Sequence, residues 1–159
     1  MGEGGGGVRA SFAGGRKRAG EWGGGQLRGL VGMIEEREGE ITAALHEELA
    51  KPHMESYLHE ISLAKSSCKF ALNGVKNWMK PEKGPAGITT FPSSAQIVAE
   101  PLGVVLVISP WNYPFLVSID PVIGTITAGN AVVLKPSKIT PATSFLFAKL
   151  LAEYVDSTC

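Results

Sequence analysis

The sequence predicts an α/β protein, in which two N-terminal helices precede a β-α-β-α unit built on a parallel sheet. Three observations carry this reading. Apolar residues recur at three- and four-residue steps through residues 26–80, the spacing of a helix with one buried face. Residues 103–108 and 131–134 are short, continuous, β-branched runs, as expected of strands covered by helices on both faces. Each run is followed by an apolar segment of helical length, and that order implies parallel pairing with a right-handed crossover.

The chain has 159 residues, room for one domain with a real core but not for two complete lobes. Its 15 basic and 15 acidic side chains cancel, which argues against a nucleic-acid partner. No uncharged apolar run reaches the ~18 residues of a membrane span. Cys68 and Cys159 are the only cysteines, so neither a disulfide framework nor a metal-ligand spacing is present. Glycine is uneven: of 20, 13 fall in the first 32 residues and 7 in the remaining 127.

Residues 1–25 are expected to form a flexible arm, because the runs Gly4–Gly7 and Gly23–Gly25 break helices at roughly 1 kcal/mol per glycine relative to alanine. Arg9, Arg16, Lys17 and Arg18 make the arm basic. A solvated terminus and an organelle transit peptide both fit that composition. From Gln26, Leu27, Leu30, Val31, Ile34, Ile41 and Leu45 make one stripe, with Glu35 to Glu38 on a solvated face and Pro52 as the stop. A second stripe runs through Tyr57, Ile61, Ala64, Cys68, Ala71, Leu72, Val75, Trp78 and Met79. Cys68 on that stripe is expected to be a buried structural thiol, and His46, His53 and His59 to be surface or cap residues.

Residues 81–100 read as a linker with one short strand at 95–100. Residues 101–159 start the second unit. Its first helix spans 115–128, with Pro121 inside it and Gly129-Asn130 as its stop. Its last helix, from Pro141 to Tyr154, is expected to pack through Phe145, Ala148, Leu151 and Tyr154.

In open α/β sheets, ligands gather outside the carboxyl ends of the strands. Two polar residues fall there. Asn112 lies between Pro110 and Pro114, on a loop with few available conformations. Its amide can donate to a developing oxyanion or cap the following helix. Lys135 closes the second strand, and its ammonium suits a ribose hydroxyl or phosphate or simply faces water. No G-x-G-x-x-G follows the first strand. Gly124 and Gly129 have the spacing of a phosphate loop but are followed by Asn130-Ala131.

At Pro101-Leu-Gly-Val-Val105, Ser109-Pro-Trp-Asn-Tyr-Pro-Phe115 and Ala128-Gly-Asn-Ala-Val-Val-Leu-Lys-Pro-Ser137 the chain resembles the aldehyde dehydrogenase superfamily. It is most like the class 3 branch, plant members included. The likeness continues upstream through Lys51-Pro52 and Trp78-Met-Lys-Pro81 and covers residues 8–158. The resemblance implies a Rossmann-like cofactor-binding domain, here incomplete, that takes NAD or NADP. It implies oxidation of an aldehyde to a carboxylic acid: a cysteine thiolate forms a thiohemiacetal, hydride passes to the nicotinamide, and the thioester is hydrolysed. Asn112 matches the family's oxyanion-stabilising asparagine. Lys135 matches its ribose-binding lysine, and Ser109, Pro110 and Trp111 match its cofactor-lining turn. A homodimer is implied for a full-length chain, in the cytoplasm or alternatively a plastid.

Three departures modify this expectation. The family's nucleophilic cysteine and general-base glutamate lie beyond residue 159, and Cys159 has no matching motif. The chain alone is therefore expected to be inactive as a dehydrogenase. The alternatives are a truncated isoform that pairs with full-length subunits and a non-functional fragment. Lys138 stands where the family usually has a ribose-binding glutamate. Lysine cannot accept a hydrogen bond and tilts the site toward a 2′-phosphate. The Gly23–Gly25 run falls where the family's first helix should form, so that helix is expected to start late or fray.

Overall fold

The computed structural model describes residues 20–156. Most of the basic arm and Cys159 lie outside them. In chain order the elements are α1 (Gly20–Glu36), α2 (Glu38–Leu49), α3 (His53–Ser56), a π-helical turn (Tyr57–Ile61) and α4 (Ser62–Trp78). Then come β1 (Glu82–Gly84), β2 (Ala95–Ile97), β3 (Val104–Ile108), α5 (Leu116–Thr127), β4 (Ala131–Lys135) and α6 (Pro141–Tyr154). β3 and β4 are parallel, with Val104 opposite Ala131 and Ile108 opposite Lys135. The α/β class and the β-α-β-α order are as the sequence predicts.

The first helix corrects one expectation. α1 begins at Gly20 and runs through Gly23, Gly24 and Gly25 without a break. The reason is packing. Leu27, Leu30, Met33 and Ile34 are fully buried, each contributing about 1.5–3 kcal/mol, against roughly 1 kcal/mol lost per glycine. A methyl group on Gly23 would make only an ordinary contact, 3.6 Å from the Ile126 carbonyl oxygen.

Two further boundaries move. The first stripe is bent into two helices at Arg37, whose backbone (φ −110°, ψ 18°) leaves the helical region. Main-chain hydrogen bonds still flank it, from Arg37 to Met33 and from Ile41 to Arg37, both 3.0 Å. Pro52 is not the stop. α2 ends in a left-handed Ala50 (φ 51°) whose N–H returns to His46 O, and Pro52 opens α3, a position where its missing N–H costs nothing. The expected linker holds a strand of its own: β1 pairs antiparallel with β2, Glu82 opposite Ile97.

α1, α2, α4, α5 and α6 share one core, and Phe115 stacks on Phe147 with ring centroids 5.3 Å apart. Cys68 is buried there, and burial together with the charge of Asp120 pushes its thiol up to about 12. α6 packs through Leu146, Phe147 and Leu150, whereas Phe145 and Ala148 face outward. The apolar residues crowd this helix, and their number hides which of them define the buried stripe. The sheet departs from expectation as well. Val107 is buried, but Leu106 and Ile108 are 59% and 65% exposed. In the described residues helices cover one face of the two-stranded sheet, so alternate residues of β3 meet solvent.

Candidate functional site

Parallel register ends β3 and β4 at one level. Ser109 N–H donates to Lys135 O at 3.2 Å, joining the chain just past both strand ends. Ser109 is buried, and its hydroxyl is bonded by Ser118 Oγ at 2.6 Å. Ser118 Oγ gives its one proton to Pro114 O at 2.6 Å and so accepts from the Ser109 hydroxyl. The loop from Ser109 to Pro114 is thereby closed back on the first turns of α5.

Pro110, Trp111 and Asn112 are exposed along that loop, and Lys135 and Lys138 are exposed beside it on the segment leaving β4. The Asn112 side chain makes no hydrogen bond to another described residue and does not cap α5. The amides of that first turn are taken by a residue the sequence reading missed. Glu60, fully buried, accepts from Phe115 N–H at 2.8 Å and Leu116 N–H at 3.1 Å through Oε2. Its other oxygen pairs with Lys51 Nζ, also buried. Lys51 Nζ lies 3.5 Å from Asn112 O and 4.0 Å from the centre of the Tyr113 ring.

A burial-driven logic explains the arrangement. A carboxylate away from water needs a cation and donors, and Glu60 has both. The two amides it accepts are among the orphan donors of a helix N-terminus, where negative charge is favoured. The π-helical turn places Glu60 toward the core beside Ile61. One signal was available in the sequence. Glu60 stands three residues after Tyr57 and four before Ala64, so it lies on the apolar stripe. Lys51, in the three-residue connection 50–52, carried no such signal.

α6 is treated in the same way. Its N-terminal Thr140 makes no side-chain cap. Glu48 of α2 accepts from Thr143 N–H at 3.1 Å and from Thr143 Oγ1 at 2.5 Å. Among the described residues no group of three or more His, Cys, Asp or Glu is placed to hold a metal ion, and no helix is long and apolar enough to cross a membrane.

The sequence profile described as "Aldehyde dehydrogenase family" matches residues 7–156. This chain belongs to the aldehyde dehydrogenase family. It is 58% identical over 151 residues to "Aldehyde dehydrogenase family 3 member I1, chloroplastic" of Arabidopsis thaliana, covering 95% of this chain and 28% of that protein. It is 51% identical over 152 residues to an aldehyde dehydrogenase of Craterostigma plantagineum, 96% of this chain and 32% of the other. Among solved structures, Staphylococcus aureus AldH in a substrate-bound state superposes with a TM-score of 0.92 at 34% identity. That match covers 96% of this chain and 33% of that one. The chain thus spans about a third of the length of these relatives.

Proposed function

We propose that these residues form the N-terminal part of an NAD(P)+-dependent aldehyde dehydrogenase, supplying the oxyanion donor and the adenosine-ribose contacts but no nucleophile. One observation carries the reading. Asn112 stands exposed on a proline-bracketed loop at the carboxyl edge of the sheet, and Glu60 has taken over the capping role that would otherwise occupy it. Its amide N–H groups are left to stabilise the negative charge that develops on a carbonyl oxygen. The loop is anchored at both ends, so the donor needs little reorganisation when that charge appears.

The residues suit a dinucleotide. Lys135 and Lys138 are exposed cations on one short segment at the ligand edge of a parallel sheet. Lys135 offers its ammonium to ribose hydroxyls. Lys138, a donor with no acceptor, favours a phosphorylated ribose, and hence NADP+. The cofactor, when bound, accepts hydride from the substrate carbon. Cys68 cannot serve as nucleophile: it is buried with its thiol pushed up to about 12, and catalysis requires an accessible thiolate. The Arabidopsis relative is named as chloroplastic. With the basic residues Arg9, Arg16, Lys17 and Arg18, this supports a plastid over the cytoplasm.

The test is a graft. Residues 8–156 replace the matching segment of the Arabidopsis relative, and NAD(P)H formation is followed with a medium-chain or aromatic aldehyde. The graft should turn over. Asn112→Ala should lower kcat by roughly 10²–10³-fold with little change in the cofactor KM, and Lys135→Ala should raise that KM. A graft in which Asn112→Ala runs at the parent rate refutes the oxyanion assignment. NAD(P)H formation by the 159-residue chain alone refutes the absence of a nucleophile.

A further inference from the structure

We infer that Glu60 and Lys51 are positioning residues for Asn112, acting through the main chain on both sides of it. The inference rests on the reading of Asn112 as the oxyanion donor. Four main-chain or ring groups in five consecutive residues converge on this one buried pair. Lys51 Nζ reaches Asn112 O and stands over the Tyr113 ring. Glu60 Oε2 holds the N–H groups of Phe115 and Leu116. Glu60 and Lys51 bind each other. The loop that carries the donor is therefore framed by residues distant in sequence, Lys51 lying 61 positions before Asn112 and Glu60 lying 55 before Phe115.

The charges make this a linked device. Without Glu60 as its counter-ion, buried Lys51 is an unpaired cation and has reason to leave for solvent. Its hold on Asn112 O and Tyr113 goes with it. Glu60→Gln keeps the size but leaves one acceptor oxygen for two sets of donors, so its NH2 group must face either the ammonium or the Phe115 and Leu116 N–H groups, donor against donor, and the loss of charge weakens both contacts. A shift of about 1 Å at a catalytic donor costs on the order of 10²-fold in rate, so the pair bears on chemistry without touching substrate.

The experiment uses the 159-residue chain and NMR. In the parent, the Phe115 and Leu116 amides should exchange roughly tenfold or more slowly than an unbonded first-turn amide. The Asn112 side-chain NH2 should give one pair of signals away from random-coil positions. Glu60→Gln should speed exchange at Phe115 and Leu116 by about tenfold or more and move the Asn112 NH2 signals to random-coil positions. Protection at Leu30, Ile34 and Ala64 should persist. Lys51→Arg, which keeps the ion pair, should retain the parent Asn112 signals. A Glu60→Gln chain with unchanged Asn112 signals overturns the inference. So does a parent chain whose Phe115 and Leu116 amides are unprotected, a result that needs no variant to fold. Failure of the dehydrogenase reading shows elsewhere, as an inert Asn112→Ala in the graft with these exchange data intact.

Discussion

Two alanine substitutions four residues apart on α1 should have opposite effects. A methyl group on Gly29 would overlap the main-chain carbonyl oxygen of Tyr154, well inside the 3.0 Å that real Cβ atoms keep. A carbonyl at the end of α6 cannot rotate away as a flexible side chain would. The helices must part by the better part of an ångström, near where Tyr154 OH meets Arg37 Nε at 3.0 Å and Glu36 at 2.7 Å. Overpacking of this kind costs ~1–3 kcal/mol. Because the obstructing atom is backbone, the upper part of that range, ~2–3 kcal/mol, applies, and alanine returns about 1 kcal/mol of helix propensity, leaving Gly29→Ala about 1–2 kcal/mol less stable. Gly25 has nothing within 4 Å of the same added methyl, so Gly25→Ala should gain up to ~1 kcal/mol. Urea unfolding, extrapolated linearly with a common slope, measures both. A Gly29→Ala chain as stable as the parent would falsify the close approach of α1 to the end of α6.

Three other outcomes are expected. Glu48→Gln should destabilise the chain by about 1 kcal/mol, the usual worth of a helix cap, and Thr143→Val should add little once Glu48 is changed, as a double-mutant cycle would show. Cys68 should resist a thiol reagent in the folded chain and react on unfolding. Because its folded value is raised above the unfolded one, stability should hold below about pH 9 and fall as pH rises toward about 12; an equally steep alkaline loss in Cys68→Ala would contradict this. In the graft, Lys138→Glu should shift the ratio of kcat/KM values from NADP+ toward NAD+, and an unchanged ratio removes Lys138 from cofactor choice.

Much of this was legible in the sequence because it depends on local pattern. The runs 103–108 and 131–134 became β3 and β4, Gly129-Asn130 ended α5, and the stripe bearing Cys68 became the buried face of α4. Asn112 and Lys135 stand out in the sequence because ligands gather at strand ends and because Pro110 and Pro114 bracket the loop, and the structure leaves both exposed at that edge. What stayed hidden depends on residues far apart in the chain. Gly23–Gly25 read as a breaker because propensity counts only neighbours, while the compensating contacts come from α4, α5 and α6. Glu60 lay on an apolar stripe, but its partners are Lys51, Phe115 and Leu116. Nothing local to residue 60 names them.

The two borrowed caps also explain an omission noted at the outset. In dinucleotide folds the glycine fingerprint lets a pyrophosphate sit against the positive end of the helix after the first strand. Here that seat is already filled. Glu60 neutralises the leading end of α5, and Glu48 does the same for α6. An incoming phosphate would meet the protein's own anion at both helices, so close backbone approach has no purpose there and glycines have nothing to make room for. On the function proposed above, recognition of a nucleotide by this segment would fall instead to the side-chain cations Lys135 and Lys138, which can be exchanged one residue at a time without disturbing a turn.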